Sequence, residues 1–207
     1  MKFYSYVIVR DFGFAPNPFF GYCTLATCKP RIRQSAQIGD LIAGFAGANF
    51  GAMRHRLVYL MRVDEICSFD EYWYNSRFES KKPSFSDKFA RCYGDNIYHH
   101  DEHHQWVQAN SHHSLENGNT NLVNLRKDTH VNRVLISSHF WYFGQNALLL
   151  PEEFQELIAC GRNHQIKNME TGLALERWLS NFYSMGQHGL PLDFKPDEGF
   201  VRFSGDR

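Results

Sequence analysis

The sequence predicts an α+β fold, because strand-like and helix-like segments both recur along a chain of 207 residues. Residues 3–10 alternate in polarity and are rich in β-formers, which predicts an opening strand, and residues 57–63 are strongly apolar. Residues 170–183 predict a helix, with an apolar stripe formed by Leu173, Leu175, Trp178, Leu179 and Phe182. At this length we expect one domain over residues 1–207.

Turn and cap residues place the remaining elements. A short helix is expected over 31–37, and Gly39-Asp40 then forms the turn into a strand that reaches Gly44. Ser68 can cap a helix over 68–77, because Glu71 occupies the matching capping-box position.

The second half of the chain follows the same logic. Residues 133–137 predict a strand, and the aromatic run 140–144 follows it. Pro151 opens a helix at its first turn, since proline lacks the N–H that a helix start leaves unpaired. The tail from Gly186 is rich in glycine and proline and is expected to pack as coil.

Residues 79–130 differ in composition from the rest of the chain. They are rich in His, Asn and Asp and poor in aliphatic residues. Tyr93, Tyr98 and Trp106 occur among their turn residues, which favours an ordered, irregular insertion over a linker. Residues 1–78 and 131–160 are therefore expected to form the core, and 161–207 a C-terminal helix and coil.

Composition excludes several classes of function. Lys plus Arg and Asp plus Glu number 22 each, so the formal charge is zero, which argues against non-specific duplex binding. No apolar run approaches the roughly 20 residues of a membrane span, so no membrane partner is expected. Five cysteines without a disulfide-scaffold spacing favour reduced thiols and a cytoplasmic protein. No Walker, Rossmann or methyltransferase motif is present, and no cofactor is expected.

Cys28 is the first candidate for chemistry. Lys29, Arg31 and Arg33 follow it, and nearby cations favour the nucleophilic thiolate. The alternative is that Cys23 and Cys28 pack as small apolar residues, because the sequence around them shows no base. Their spacing matches none of the usual structural zinc patterns.

A histidine cluster marks the insertion. Its density would suit a transition metal if several rings converged, but polar loops also collect solvated histidines, and we expect no metal. His112 and His113 are the two for which a functional role stays open. The members of the cluster are His99, His100, His103, His104, His112 and His113.

Polar and aromatic residues supply further candidates for ligand binding. Asp95 and Asn96 could recognise the edge of a base, or could hydrogen-bond the backbone of their own loop. Aromatic rings can stack on bases or fill the core, and Trp141 and Tyr142 are the better candidates of their run because each has a polar group.

Several short segments occur along the chain in a fixed order: residues 11–18 (DFGFAPNP), 23–33 (CTLATCKPRIR), 39–40, 93–99 (YGDNIYH), 128–137 and 142–144, with Asn146 and Pro151. This ordered series resembles a known family, nucleotide modification associated domain 2, a group of bacterial and phage proteins. The name reflects a predicted association with DNA-base modification systems.

A looser similarity, through the Gly-Asp turn before an apolar strand, is to PUA-like barrels such as the EVE and ASCH domains. It implies a PUA-like, mixed, mostly antiparallel β-barrel with flanking helices and a long irregular insertion. It also implies an aromatic-lined pocket that holds a modified or flipped base.

The leading hypothesis is therefore a binder of a modified nucleotide or base, with DNA as one form of that partner. Its candidate ligand-binding residues divide into cations for phosphate, polar groups for the base edge, and rings for stacking. They are Lys29, Arg31 and Arg33; Asn17, Asp95 and Asn96; and Tyr98, Trp106 and Tyr142.

Two other hypotheses compete with this one. The protein could be a glycosidase-like or transferase-like enzyme that processes a modified nucleotide, with Cys28 as nucleophile or Asp11 or Asp95 as acid or base. It could also be a protein-interaction module, which would show no saturable nucleotide binding.

Overall fold

The structure, a computed structural model, describes residues 1–203 of the chain. Its strands are β1 (Phe3–Ile8), β2 (Cys23–Leu25), β3 (Leu41–Ala46), β4 (Leu57–Arg62), β5 (Glu65–Cys67), β6 (Tyr98–His100), β7 (Trp106–Gln108), β8 (Val134–Ser137), β9 (Phe140–Tyr142), β10 (Gln165–Lys167) and β11 (Gly186–Gln187). Its α-helices are α1 (Pro30–Ser35), α2 (Phe69–Tyr74), α3 (Phe89–Cys92), α4 (Leu122–Thr129) and α5 (Met169–Phe182). Short 3₁₀ helices cover Ala48–Met53, Ser76–Lys81, Gly144–Asn146, Glu152–Leu157 and Pro196–Glu198.

The main sheet has six strands in the order β10-β1-β3-β4-β9-β11. The β1–β3 and β9–β11 pairs are parallel and the other three pairs are antiparallel. Three antiparallel strands form a second sheet, β2-β8-β5, and β6 and β7 form a hairpin. The α+β class is confirmed. The main sheet is open at β10 and β11, so the expected closed PUA-like barrel is not confirmed.

The two faces of the main sheet pack against different elements. Because neighbouring residues of a strand point to opposite faces, Phe3 joins a cluster with Leu175 and Leu179 of α5, while Tyr4 joins another with Leu25 and Leu135 of the second sheet. Parallel pairing of β1 with β3 also needs a crossover connection. Residues 9–40 make that crossover and carry β2 and α1 past the end of β1.

Residues 79–130 contain more regular structure than the sequence predicts, since α3, β6, β7 and α4 lie within them. Their buried Tyr93, Ile97 and Tyr98 pack in a third apolar cluster with Tyr72 and Ile136.

Several local predictions are confirmed. Ser68 accepts from the Glu71 N–H while the Glu71 carboxylate accepts from the Ser68 N–H, which is the expected capping box. The helix over 170–183 is α5, and the helix expected from Pro151 is a 3₁₀ helix, Glu152–Leu157. Among the helices of residues 1–203, none combines the length and apolar character of a bilayer crossing.

Candidate functional site

A cavity of about 470 Å³ opens beside the end of β1. Its walls come from the crossover connection, from the loop before α4, from the loop before β10 and from Phe203. The wall residues that the following paragraphs use are Cys28, Lys29, Arg31, His112, His113, Arg162, His164 and Phe203.

Cys28 lies between β2 and α1 and reaches this cavity half-buried. Cys28 and Lys29 both have left-handed backbone angles, with φ of 56° and 38°, which is a strained conformation for residues other than glycine. The Cys28 N–H donates to Asp128 Oδ1 at 2.9 Å, and the Cys28 carbonyl accepts from Arg33 Nε at 2.9 Å. Contacts on both sides therefore hold the thiol-bearing residue in this conformation.

A histidine and a carboxylate stand in line with that thiol. Cys28 Sγ lies 3.8 Å from His113 Nε2, and His113 Nδ1 lies 2.7 Å from Asp128 Oδ2. Because a carboxylate only accepts, Nδ1 carries the hydrogen of the second contact and Nε2 faces the sulfur. The order thiol, imidazole, carboxylate is the order that activates a nucleophile in cysteine enzymes.

Charge favours a protonated His113 in this position. Burial alone would lower the pKa of His113, but the Asp128 carboxylate and then the Cys28 sulfur outweigh burial, and the pKa rises to about 10. Burial would raise the pKa of Asp128, but His113 and then Arg33 outweigh it and hold that pKa below its usual range. At neutral pH the two form an imidazolium–carboxylate pair.

The Asp128 carboxylate also accepts a hydrogen bond from a tyrosine. Tyr98 is buried, and its hydroxyl donates to Asp128 Oδ2 at 3.0 Å. Gln108 Nε2 donates to the Tyr98 hydroxyl at 3.2 Å and to the His113 carbonyl at 3.1 Å. We call Cys28, His113, Asp128 and Tyr98 the thiol cluster.

His112, the neighbour of His113, is also buried but is neutral. Burial and then the His113 cation lower the pKa of His112 to about 3. Its Nδ1 lies 2.6 Å from the Val201 carbonyl, to which it donates, and its ring lies 5.0 Å from the ring of Phe12. His112 therefore adds an uncharged aromatic wall to the cavity.

Three of the residues predicted for the site line the cavity, namely Cys28, Lys29 and Arg31. The predicted Asn17 and Asp95 lie in a different buried group, which we call the lysine cluster: Lys81, Asn17, Thr24, Tyr72 and Asp95. Lys81 Nζ donates to Asn17 Oδ1 at 2.7 Å, and Asp95 accepts from Thr24 at 2.6 Å and Tyr72 at 2.8 Å. None of the five lines the cavity.

Two more predicted residues bond to the protein itself. Asn96 is buried and its amide donates to the Tyr72 carbonyl at 2.9 Å. The Arg33 guanidinium is also buried and is directed to protein carbonyls, so it is not at the cavity to meet a phosphate. The carbonyls that accept from Arg33 are those of Cys28, Asp128, Val131 and Arg133.

The remaining predicted residues also lie away from the cavity. Tyr142 is buried and donates to the Asp11 carboxylate, whose pKa burial raises to about 6. Trp106 packs its ring 3.8 Å from that of His100, outside the cavity. Tyr98 supports Asp128, as described above, in place of the stacking role that the sequence indicated.

His113 and Asp128 are the functional residues that the sequence prediction did not assign. They lie 85 and 100 residues from Cys28 in the chain, so no local motif connects them. For His113 the signal was the role left open for His112 and His113, and Asp128 is the first residue of the segment 128–137 that contributes to the family resemblance. Within residues 1–203 no group of three His, Cys, Asp or Glu side chains is arranged to hold a metal ion.

Fold and site together define an α+β protein with a thiol–imidazole–carboxylate series in a basic, aromatic cavity. The sequence model of the family nucleotide modification associated domain 2 matches residues 1–198, so the chain belongs to that family and the predicted resemblance is confirmed. No curated protein and no solved structure matches the chain. The family name connects the protein with nucleotide modification.

Proposed function

We propose that this protein is an enzyme that uses Cys28 as a nucleophile on a nucleotide-class substrate held in the cavity. One observation carries the proposal: Cys28 Sγ stands 3.8 Å from His113 Nε2, while Asp128 accepts from the other ring nitrogen at 2.7 Å. A contact of this length to sulfur is loose, as catalytic contacts often are before substrate binds. A half-buried thiol with a fixed imidazolium and an orienting carboxylate has the parts that nucleophilic catalysis needs.

The chemistry is a group transfer at an electrophilic carbon. Cys28 reacts as a thiolate beside the His113 imidazolium, its own proton having passed to solvent, and the sulfur electron pair forms a bond to that carbon. The leaving group departs with the electrons of the broken bond and takes the proton from His113. Water or a second acceptor then attacks the same carbon and gives its proton to His113, and the sulfur leaves with its electron pair. The proton ends on the leaving group, and Cys28 is regenerated.

The Asp128 carboxylate serves this cycle in two ways. Its bond to His113 Nδ1 holds the ring with Nε2 toward the sulfur, and its charge stabilises the imidazolium that faces the sulfur and gives its proton to the leaving group. Its other oxygen accepts from the Cys28 N–H and so fixes the backbone that carries the nucleophile.

The cavity suits a nucleotide in size and character. A volume of about 470 Å³ falls within the range of small-molecule sites. Phe12, Phe14 and Phe203 provide apolar ring surface for a base, and Lys29 and Arg31 provide cations for a phosphate. We carry Lys29 and Arg31 forward as ligand-binding residues.

Binding without chemistry is the second candidate function, because the same rings and cations would hold a modified nucleotide whether or not Cys28 reacts. The two candidates differ in what they require of the thiol. Both candidates predict that Cys28→Ser keeps its affinity for the ligand. Only the enzyme predicts that the wild type has a turnover, which Cys28→Ser would then lose.

The test incubates the wild type and Cys28→Ser with canonical and modified nucleosides and nucleotides. Thermal shift reports binding, and mass spectrometry reports products and covalent adducts of the protein. We expect the wild type to give a product or a Cys28 adduct and Cys28→Ser to give neither, with ligand-induced shifts in both. Cys160→Ser, which removes an exposed thiol outside the cavity, is the matched control and keeps turnover.

Each other outcome points to one alternative. Shifts in both proteins without product or adduct would replace the enzyme by the binder. A flat response to every compound would remove both and leave the protein-interaction hypothesis.

A further inference from the structure

The wall of the cavity that carries Lys29 and Arg31 also contains cations from a distant part of the chain. β10 pairs antiparallel with β1, with Ser5 opposite Gln165, so the residues before β10 lie beside the first strand. The His164 ring lies 5.7 Å from the ring of Tyr4. Arg162 and His164 thereby reach the same cavity as Arg31.

The lining of the whole cavity has an excess of positive charge. The whole chain has 22 basic and 22 acidic residues, yet the cavity wall that the structure describes has five Lys and Arg side chains and no Asp or Glu. The five are Arg10, Lys29, Arg31, Lys127 and Arg162. A concave surface lined by one sign of charge attracts a ligand of the opposite sign.

We propose that Arg31, Arg162 and His164, with the charge of Lys29, form a phosphate subsite in this cavity. This inference rests on the proposed function for its substrate class, a nucleotide, and names the group by which that nucleotide is held. Arg31 and Arg162 are exposed enough to reach a ligand, and guanidinium groups bind phosphate oxygens in pairs. The phosphate is either the 5′-phosphate of a free nucleotide or a phosphodiester of a single strand.

His164 gives the subsite a second property. Burial lowers the pKa of His164, and the charges of Arg31 and then Lys29 lower it further. The His164 ring packs against the ring of Tyr4, and Arg162 is a further cation in the same loop. A phosphate dianion beside the ring would favour its protonated form. The wild type should therefore take up more protons on binding a mononucleotide than His164→Gln does.

The test is calorimetry on the full-length chain. The probes are 5′-mononucleotides, the matching nucleosides, a short single-stranded oligonucleotide and inorganic phosphate. We expect mononucleotides to bind at least tenfold more tightly than nucleosides. The variant Arg31→Gln with Arg162→Gln should lose that preference and leave nucleoside affinity unchanged, while Arg177→Gln, an exposed change on α5 outside the cavity, keeps it. Whichever nucleotide form binds at least tenfold more tightly identifies the source of the phosphate.

Equal affinity for nucleotides and nucleosides would overturn the subsite, as would undiminished nucleotide binding by the double variant or no binding of any probe. Turnover and Cys28 adduct formation are measured on the same proteins. If these persist while the phosphate preference is missing, the subsite fails and the proposed enzyme stands.

Discussion

The thiol cluster and the lysine cluster are both built from buried charged and hydroxyl groups, but they face different surroundings. In the lysine cluster, Lys81 donates to Asn17 and to the Tyr22 carbonyl, while Asp95 accepts from two hydroxyls. All its members are buried within the protein. In the thiol cluster, the same kind of network ends on Cys28, which opens to the cavity.

The difference in exposure determines which of the two clusters can react with a ligand. Buried polar groups must be hydrogen-bonded in any fold, so a satisfied network is by itself evidence of stability only. The thiol cluster differs because its last member keeps a reactive atom free to meet a ligand. We expect changes in the lysine cluster to alter the unfolding free energy and changes in the thiol cluster to alter reactivity.

The largest expected effect is on stability. Lys81→Met removes the cation whose charge acts on the buried Asp95 carboxylate, together with the ammonium that donates to both Asn17 oxygens and to the Tyr22 carbonyl, so we expect a loss of about 3–5 kcal/mol of unfolding free energy. Urea unfolding measures it. Lys82→Met, which removes a neighbouring lysine paired with the exposed Glu79, should cost less than about 1 kcal/mol. Equal losses would show that burial of the lysine cluster adds nothing.

The next effect is on reactivity. An isolated thiol is only a few per cent thiolate at pH 7, so removing the imidazolium with His113→Gln should slow alkylation of Cys28 by iodoacetamide roughly tenfold or more. Peptide mass spectrometry follows Cys28 against the other four cysteines.

His100 provides the matched control for that measurement. It forms the same kind of pair with Asp70, at 2.7 Å, but has no cysteine beside it in the described residues. His100→Gln should leave the alkylation rate unchanged. Slowing by both variants would indicate a general loss of structure, and slowing by neither would show that His113 does not activate Cys28.

The smallest effect is a pair of opposite pH dependences. The pKa of His113 rises from 6.5 to about 10, so folding binds its proton more tightly, and the stability it adds is lost as the pH rises through 10. The pKa of Lys81 falls from 10.5 to about 8, so its contribution increases as the pH rises from 8 to 10.5. Between pH 7 and 9, the deficit of His113→Gln should shrink and that of Lys81→Met should grow. Parallel deficits would contradict the assigned directions.

Local features of the fold could be predicted from the sequence because they depend on neighbouring residues. The Ser68–Glu71 capping box and α5 are set within a few residues and were found. Strand pairing depends on distant segments, and the parallel contact of β1 with β3 and the open edges of the sheet had no local signal. Helix α4 was missed because its residues lie in a polar segment whose Asn121 cap resembles loop composition.

The candidate site divides in the same way. The cations after Cys28 could be read locally, and Lys29 and Arg31 do line the cavity. Arg33 has the same charge, yet its side chain turns inward to carbonyls near residue 130, which only tertiary structure decides. Asp128 begins a segment that contributes to the family resemblance, but nothing in the sequence assigned it a role, because its contact with His113 depends on tertiary structure.

Asp128 also couples two parts of the thiol cluster mechanically. One of its oxygens holds the Cys28 backbone and the other holds the His113 ring, so the sulfur and its base share a single anchor on α4. Because both contacts end on one carboxylate, we expect a small displacement of α4 to move the Cys28 backbone and the His113 ring together. The distance between the sulfur and the imidazole should then change less than it would with two independent partners.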